Sequence, residues 1–71
     1  MSELLTSIQL NGRLHPIQPG QTLTDLIAAL ALTGKRIAVE RNGEIVPRAH
    51  HAATVLTAGD RIEIVIAVGG G

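Results

Sequence analysis

The sequence predicts an α+β domain in which one helix covers one face of a mixed sheet of about five strands. Three observations carry the prediction. Short segments that alternate polar and apolar residues are joined in pairs by Asn-Gly, at positions 11–12 and 42–43. A single segment, starting near Thr22, repeats its apolar residues at the helical period. The chain has 71 residues with no cysteine and 45% hydrophobic residues, enough for one aliphatic core and too few for a second.

The elements follow in order. Thr6-Ser7-Ile8-Gln9-Leu10 alternates, Asn11-Gly12 follows, and Arg13-Leu14-His15-Pro16-Ile17 continues, which is the pattern of a hairpin closed by a two-residue turn. Pro16 has no backbone N–H, so the second strand belongs at a sheet edge. Pro19-Gly20 breaks the chain. Leu23, Leu26, Ile27 and Leu30 then form one stripe of a helix of about eleven residues. Thr22 and Asp25 make a capping box, with Thr24 as a rival cap. Ala28, Ala29 and Ala31 supply helix propensity, and Gly34 stands where a left-handed residue ends a helix.

Ile37-Ala38-Val39-Glu40-Arg41 alternates again, Asn42-Gly43 repeats the turn, and Glu44-Ile45-Val46 before Pro47 makes a short edge strand. Arg48-Ala49-His50-His51-Ala52-Ala53 can form a helical turn but is too short for a stable helix. After the turn Thr57-Ala58-Gly59-Asp60, residues 61–68 are the strongest strand. Ile62, Ile64 and Ile66 lie on one of its faces, and Arg61, Glu63, Val65 and Ala67 on the other. A helix between the two hairpins can cross the sheet only if this last strand pairs in the middle, parallel to the first. That arrangement is a β-grasp. It is expected over residues 1–68, with 69–71 a flexible glycine tail.

Composition excludes several functions. Six Lys and Arg against six Asp and Glu leave no net charge, and there are no aromatic residues, so nothing marks a nucleic-acid surface. The lack of cysteine excludes disulfides, thiolate zinc sites, iron–sulfur clusters and cysteine nucleophiles. Met1-Ser2-Glu3-Leu4-Leu5 is not a signal peptide, and no apolar run approaches the roughly twenty residues of a membrane span, so a cytoplasmic protein away from membranes is expected.

No serine or threonine sits in a nucleophile motif, and so small a domain offers little concave surface, so the chain does not read as an enzyme. His50-His51 are adjacent, and neighbouring residues rarely point the same way; without a third ligand nearby they read as a loop without a metal role, as does His15. Gly69-Gly70-Gly71 is different. Glycines contribute nothing to a core, and the plain reading is a frayed terminus. A tail without Cβ atoms can also enter a channel too narrow for any side chain and present a carboxylate to a nucleotide's α-phosphate.

The stretches Ile37-Ala38-Val39-Glu40-Arg41-Asn42-Gly43-Glu44-Ile45-Val46-Pro47-Arg48 and Leu56-Thr57-Ala58-Gly59-Asp60-Arg61-Ile62-Glu63-Ile64, followed by the glycine tail, resemble the thiamine-pathway sulfur carrier proteins, the ThiS family. The resemblance spans nearly the whole chain and implies a ubiquitin-like fold. It further implies a carrier cycle. An E1-like (ThiF-like) adenylating enzyme uses ATP to activate the carboxylate of Gly71, with Gly69 and Gly70 inserted into the partner. A sulfur donor protein then replaces AMP to leave a thiocarboxylate, and thiazole synthase (ThiG-like) takes the sulfur. The carrier itself binds no cofactor. Family tails commonly end in two glycines, and Gly69 adds a third.

From the residues themselves, Val65 and Ala67 are the candidate docking patch, being apolar on the strand face away from the helix. Strand propensity is the competing explanation for the valine. Three other readings share the tail or the fold: a molybdopterin-synthase small subunit-like carrier, a ubiquitin-like modifier, and a plain β-grasp binding module. The molybdopterin carriers are usually longer and richer in aromatics than this chain.

Overall fold

A computed structural model of the chain describes residues 6–67. Strands β1 (Thr6–Leu10), β2 (Arg13–Ile17), β3 (Ile37–Arg41), β4 (Glu44–Ile45) and β5 (Arg61–Ile66) form one sheet in the order β2-β1-β5-β3-β4. Helix α1 (Leu23–Ala29) connects β2 to β3, and a 3-10 helix (Arg48–Ala53) lies between β4 and β5. β5 is central, parallel to β1 and antiparallel to β3, and Pro16 sits in the edge strand β2. This is the β-grasp that the sequence predicts.

Both hairpins turn as their Asn-Gly pairs require. Asn11 and Gly12 have φ of 50° and 83°, and Asn42 and Gly43 have 52° and 89°. Positive φ at both central positions matches the turn to the strand twist, and the strands close as Leu10 opposite Arg13 and Arg41 opposite Glu44.

Helix α1 begins at Thr22, which settles its competition with Thr24. The Thr22 hydroxyl accepts from the Asp25 N–H at 3.1 Å, and the Asp25 carboxylate accepts from the Thr22 N–H at 3.0 Å. The helix is shorter than expected, seven residues instead of about eleven, and it ends on Ala31 instead of Gly34. Ala31 takes a left-handed φ of 61°. The Leu32 N–H then donates to the Ile27 carbonyl at 2.9 Å and the Ala31 N–H to Ala28 at 3.0 Å, a Schellman ending. The physical reason is Leu32. In a continued helix it would lie about 200° round from Leu30, whereas the reversal at Ala31 packs it against the core.

The core comprises Ile8, Ile17, Leu23, Leu26, Ile27, Val39, Leu56, Ile62 and Ile64, all buried. Ile66 departs from the expectation that it shares this burial with Ile62 and Ile64, being 50% exposed. Ile66 is also absent from the apolar residues packed against this core, so the core ends before the last residue of the strand. The segment expected to be too short for a helix is ordered by tertiary bonds. The His51 ring, buried, donates from Nε2 to the Val46 carbonyl at 3.0 Å. Beyond it, the Leu23 N–H donates to Thr54 and the Leu56 N–H to Gln21, fastening this connection to the start of α1. Among the described residues, no helix is long and apolar enough to cross a membrane.

Candidate functional site

The central strand ends two residues before the glycines in the sequence, so the site begins with what holds that strand. On one side, the Asn11 N–H donates to the Ile62 carbonyl at 2.9 Å. The Asn11 side-chain oxygen accepts from the Ile64 N–H at 2.8 Å, and its amide nitrogen donates to the Ile64 carbonyl at 3.3 Å. Regular pairing of β1 with β5 covers Gln9–Arg61 and Leu10–Ile62, and the Asn11 amide carries the ladder on to Ile64. On the other side, Asn42 exchanges bonds with both the N–H and the carbonyl of Arg61, each at 2.8 Å. Two turn residues thus hold β5 from opposite neighbours.

Asp60, buried just before β5, anchors the second of these clamps. Its carboxylate accepts from Asn42 Nδ2 at 3.0 Å, Arg41 Nε at 3.0 Å and the Thr57 N–H at 2.9 Å. Burial by itself raises the Asp60 pKa, but the bonds from Asn42, Thr57 and Arg41 outweigh it and hold the carboxyl below its ordinary value. Sequence reasoning assigned both Asn-Gly pairs and Gly59-Asp60 to turns alone. The further partners lie 53 residues from Asn11 and 18 from Asn42, beyond any local spacing signal.

At the far end of β5, Ile66 pairs with Ile37, and the Ala67 N–H donates to the Arg36 carbonyl at 2.9 Å. The chain's direction is therefore set through Ala67. Gly69, Gly70 and Gly71 lie outside the described residues. Val65 is 62% exposed on the open sheet face, opposite Ala38. Ala67, one residue past the end of β5, is exposed too. Next to Val65 the same face carries Glu63 opposite Glu40, and Ile45 lies on the other side of Glu40. His50 is exposed while His51 is turned inward, and among the described residues no three His, Cys, Asp or Glu side chains gather into a metal site.

The sequence model of the ThiS family matches residues 8–71. The chain belongs to the ThiS family. The matched span covers both clamps and the three glycines, so the residues that hold β5 and the tail fall within one family segment. The ThiS fold is seen in the crystal structure of thiamine biosynthesis protein ThiS from Geobacter metallireducens, which is 29% identical with a TM-score of 0.76, over 93% of this chain and 100% of that one. The solution structure of a thiamine biosynthesis protein from the same organism agrees, with a TM-score of 0.73 over 93% of this chain and 88% of that one. With these neighbours the β-grasp is identified as ubiquitin-like.

Relatives by sequence include a thiazole synthase of Magnetococcus marinus, 42% identical over 64 residues, which are 90% of this chain and 20% of that protein. A thiazole synthase of Paramagnetospirillum magneticum is 37% identical over 62 residues, 87% of this chain and 19% of the relative. The chain thus spans about a fifth of the length of either thiazole synthase. The uncharacterized protein ycf40 of Porphyra purpurea is 34% identical over 92% of both chains.

Proposed function

We propose that this ThiS-family chain is a sulfur carrier for thiamine thiazole synthesis, a protein substrate and not itself an enzyme. The observation that carries the reading is the family match through residues 8–71, glycines included, on a fold whose central strand leads to those glycines. In the proposed cycle an E1-like partner joins the Gly71 carboxylate to the α-phosphate of ATP and releases pyrophosphate. Sulfur at the sulfide level, from a donor protein, attacks the acyl carbon. AMP leaves and a thiocarboxylate remains. Thiazole synthase then accepts the sulfur, a partner supported by the two relatives of that name that contain a similar segment.

The division of labour follows from the residues. The β-grasp domain, residues 1–68, presents the tail, and a segment of three residues such as 69–71 can reach at most about 10 Å. Without Cβ atoms, Gly69 and Gly70 fit a narrow channel and Gly71 offers an uncrowded acyl centre. Exposed Val65 and Ala67 supply an apolar docking patch beside the exit. The cycle consumes ATP through the activating partner, fits the cytoplasmic location expected from the sequence, and requires no cofactor on the carrier.

The test is the intact mass after incubation with ATP, the cognate activating enzyme and a sulfur source. A gain equal to one oxygen-for-sulfur exchange, mapped to Gly71, is the expected result. No change with a partner verified as active overturns the proposal. Attachment to lysine instead would indicate a modifier.

A further inference from the structure

Beside the exit of β5, on the helix side of the sheet, the end of α1, the start of β3 and the 3-10 helix enclose a groove of about 240 Å³. Ile27, Leu32 and Ile37 give it an apolar lining, and Lys35 and Arg48 approach it from different segments. Among the described residues, no carboxylate lines it. Among the described residues, neither cation is engaged in an ion pair. Arg36, whose carbonyl holds Ala67, adds a third cation at the same end. Half of the six basic residues of an uncharged chain therefore stand near the tail's exit, while Glu44 and Asp60 lie at the opposite end of the sheet, by the Asn42-Gly43 turn.

We propose that this groove receives an acidic loop of thiazole synthase that also carries an apolar side chain, and so steers and orients the carrier as its tail enters. The inference rests on the carrier reading above. Charge complementarity selects the acidic part of the occupant. The apolar lining selects the rest, since a small, fully hydrated anion would leave Ile27, Leu32 and Ile37 without a partner. A protein loop, with one carboxylate near the cations and one apolar side chain between the walls, satisfies both halves of the groove. The groove wall includes Ile37, which pairs with Ile66 at the end of β5, so it offers a second contact besides Val65 near the exit.

The experiment measures the affinity of the full chain for thiazole synthase by calorimetry at low and high salt. Variants are Lys35→Glu/Arg48→Glu, the neutral Lys35→Gln/Arg48→Gln, and Arg13→Glu on the far edge strand as control. The expected result is about tenfold weaker binding for the reversed pair, a smaller loss and a flatter salt dependence for the neutral pair, and no change for Arg13→Glu. Amide signals of residues 33–37 and 48–51 are expected to shift when thiazole synthase is added. Wild-type affinity in both double variants overturns the groove proposal and leaves the carrier reading standing. Failure of the wild-type chain to bind thiazole synthase at all overturns that partner and the groove assignment with it. Saturable shifts of the groove amides with inorganic phosphate, without any effect of the variants on thiazole synthase, would show a small-anion site and likewise overturn the proposal.

Discussion

Asn11 grips the main chain of Ile64 with both ends of its side-chain amide, accepting from the Ile64 N–H at 2.8 Å and donating to its carbonyl at 3.3 Å. One residue at the tip of a hairpin therefore closes a turn and also extends the pairing of the central strand. The two roles separate chemically. The turn needs positive φ, which glycine also supplies, whereas the clamp needs the amide.

Replacing Asn11 by glycine is therefore expected to keep the hairpin and cost about 1–2 kcal/mol, the net value of two hydrogen bonds. Urea denaturation reads the loss, and faster amide exchange at Ile64 locates it. Unchanged stability and exchange would show that the clamp contributes nothing.

Asp60 ties its turn to β3 and makes folding sensitive to acid. Its carboxyl is held below the ordinary value of 3.8, so the folded state binds the proton less readily than the unfolded chain. The stabilisation is fully present above that ordinary value. It is lost as pH falls past it and through the lowered folded value. Asp60→Ala is expected to cost roughly 1.5–3 kcal/mol at neutral pH through its lost charge-assisted bonds. The gap between mutant and wild type should narrow in acid, and thermal melts across the acid range check it. A gap that stays constant with pH would contradict this account.

Ala31 carries a left-handed φ of 61°, where a Cβ is strained, and it is exposed. Ala31→Gly relieves the strain but loosens the unfolded chain, for a net expected gain of about 0.5–1 kcal/mol in denaturant melts. A loss would mean that the Schellman ending is held by the packing of Leu32 with no backbone strain to relieve.

Folding and function are expected to separate at the end of the chain. Ile64→Ala empties a buried position between the helix and the sheet and should cost about 2–5 kcal/mol. Removing Gly70 and Gly71 should shift stability by no more than about 0.5 kcal/mol, while abolishing ATP–pyrophosphate exchange with the activating enzyme. Persistent exchange in the truncated chain would count against a carboxylate carrier, and a large drop in its melting temperature against a tail that contributes little to the fold.

What the sequence by itself determined lies within short reach along the chain. The Asn-Gly turns, the Leu23-Leu26-Ile27 stripe, the Thr22–Asp25 box and the edge placement of Pro16 each depend on groups a few residues apart. The central place of β5 followed because one helix leaves one way to cover the sheet. Tertiary structure decided the rest. Periodicity says which way Ile66 points but not how far the core extends along its strand. Leu32 stops the helix at Ala31 because the core has a place for it, and His51 finds the Val46 carbonyl because the 3-10 helix folds back. The second role of Asn11 and the gathering of Lys35 and Arg48 around one groove arise between segments distant in sequence, where no local pattern records which atoms meet.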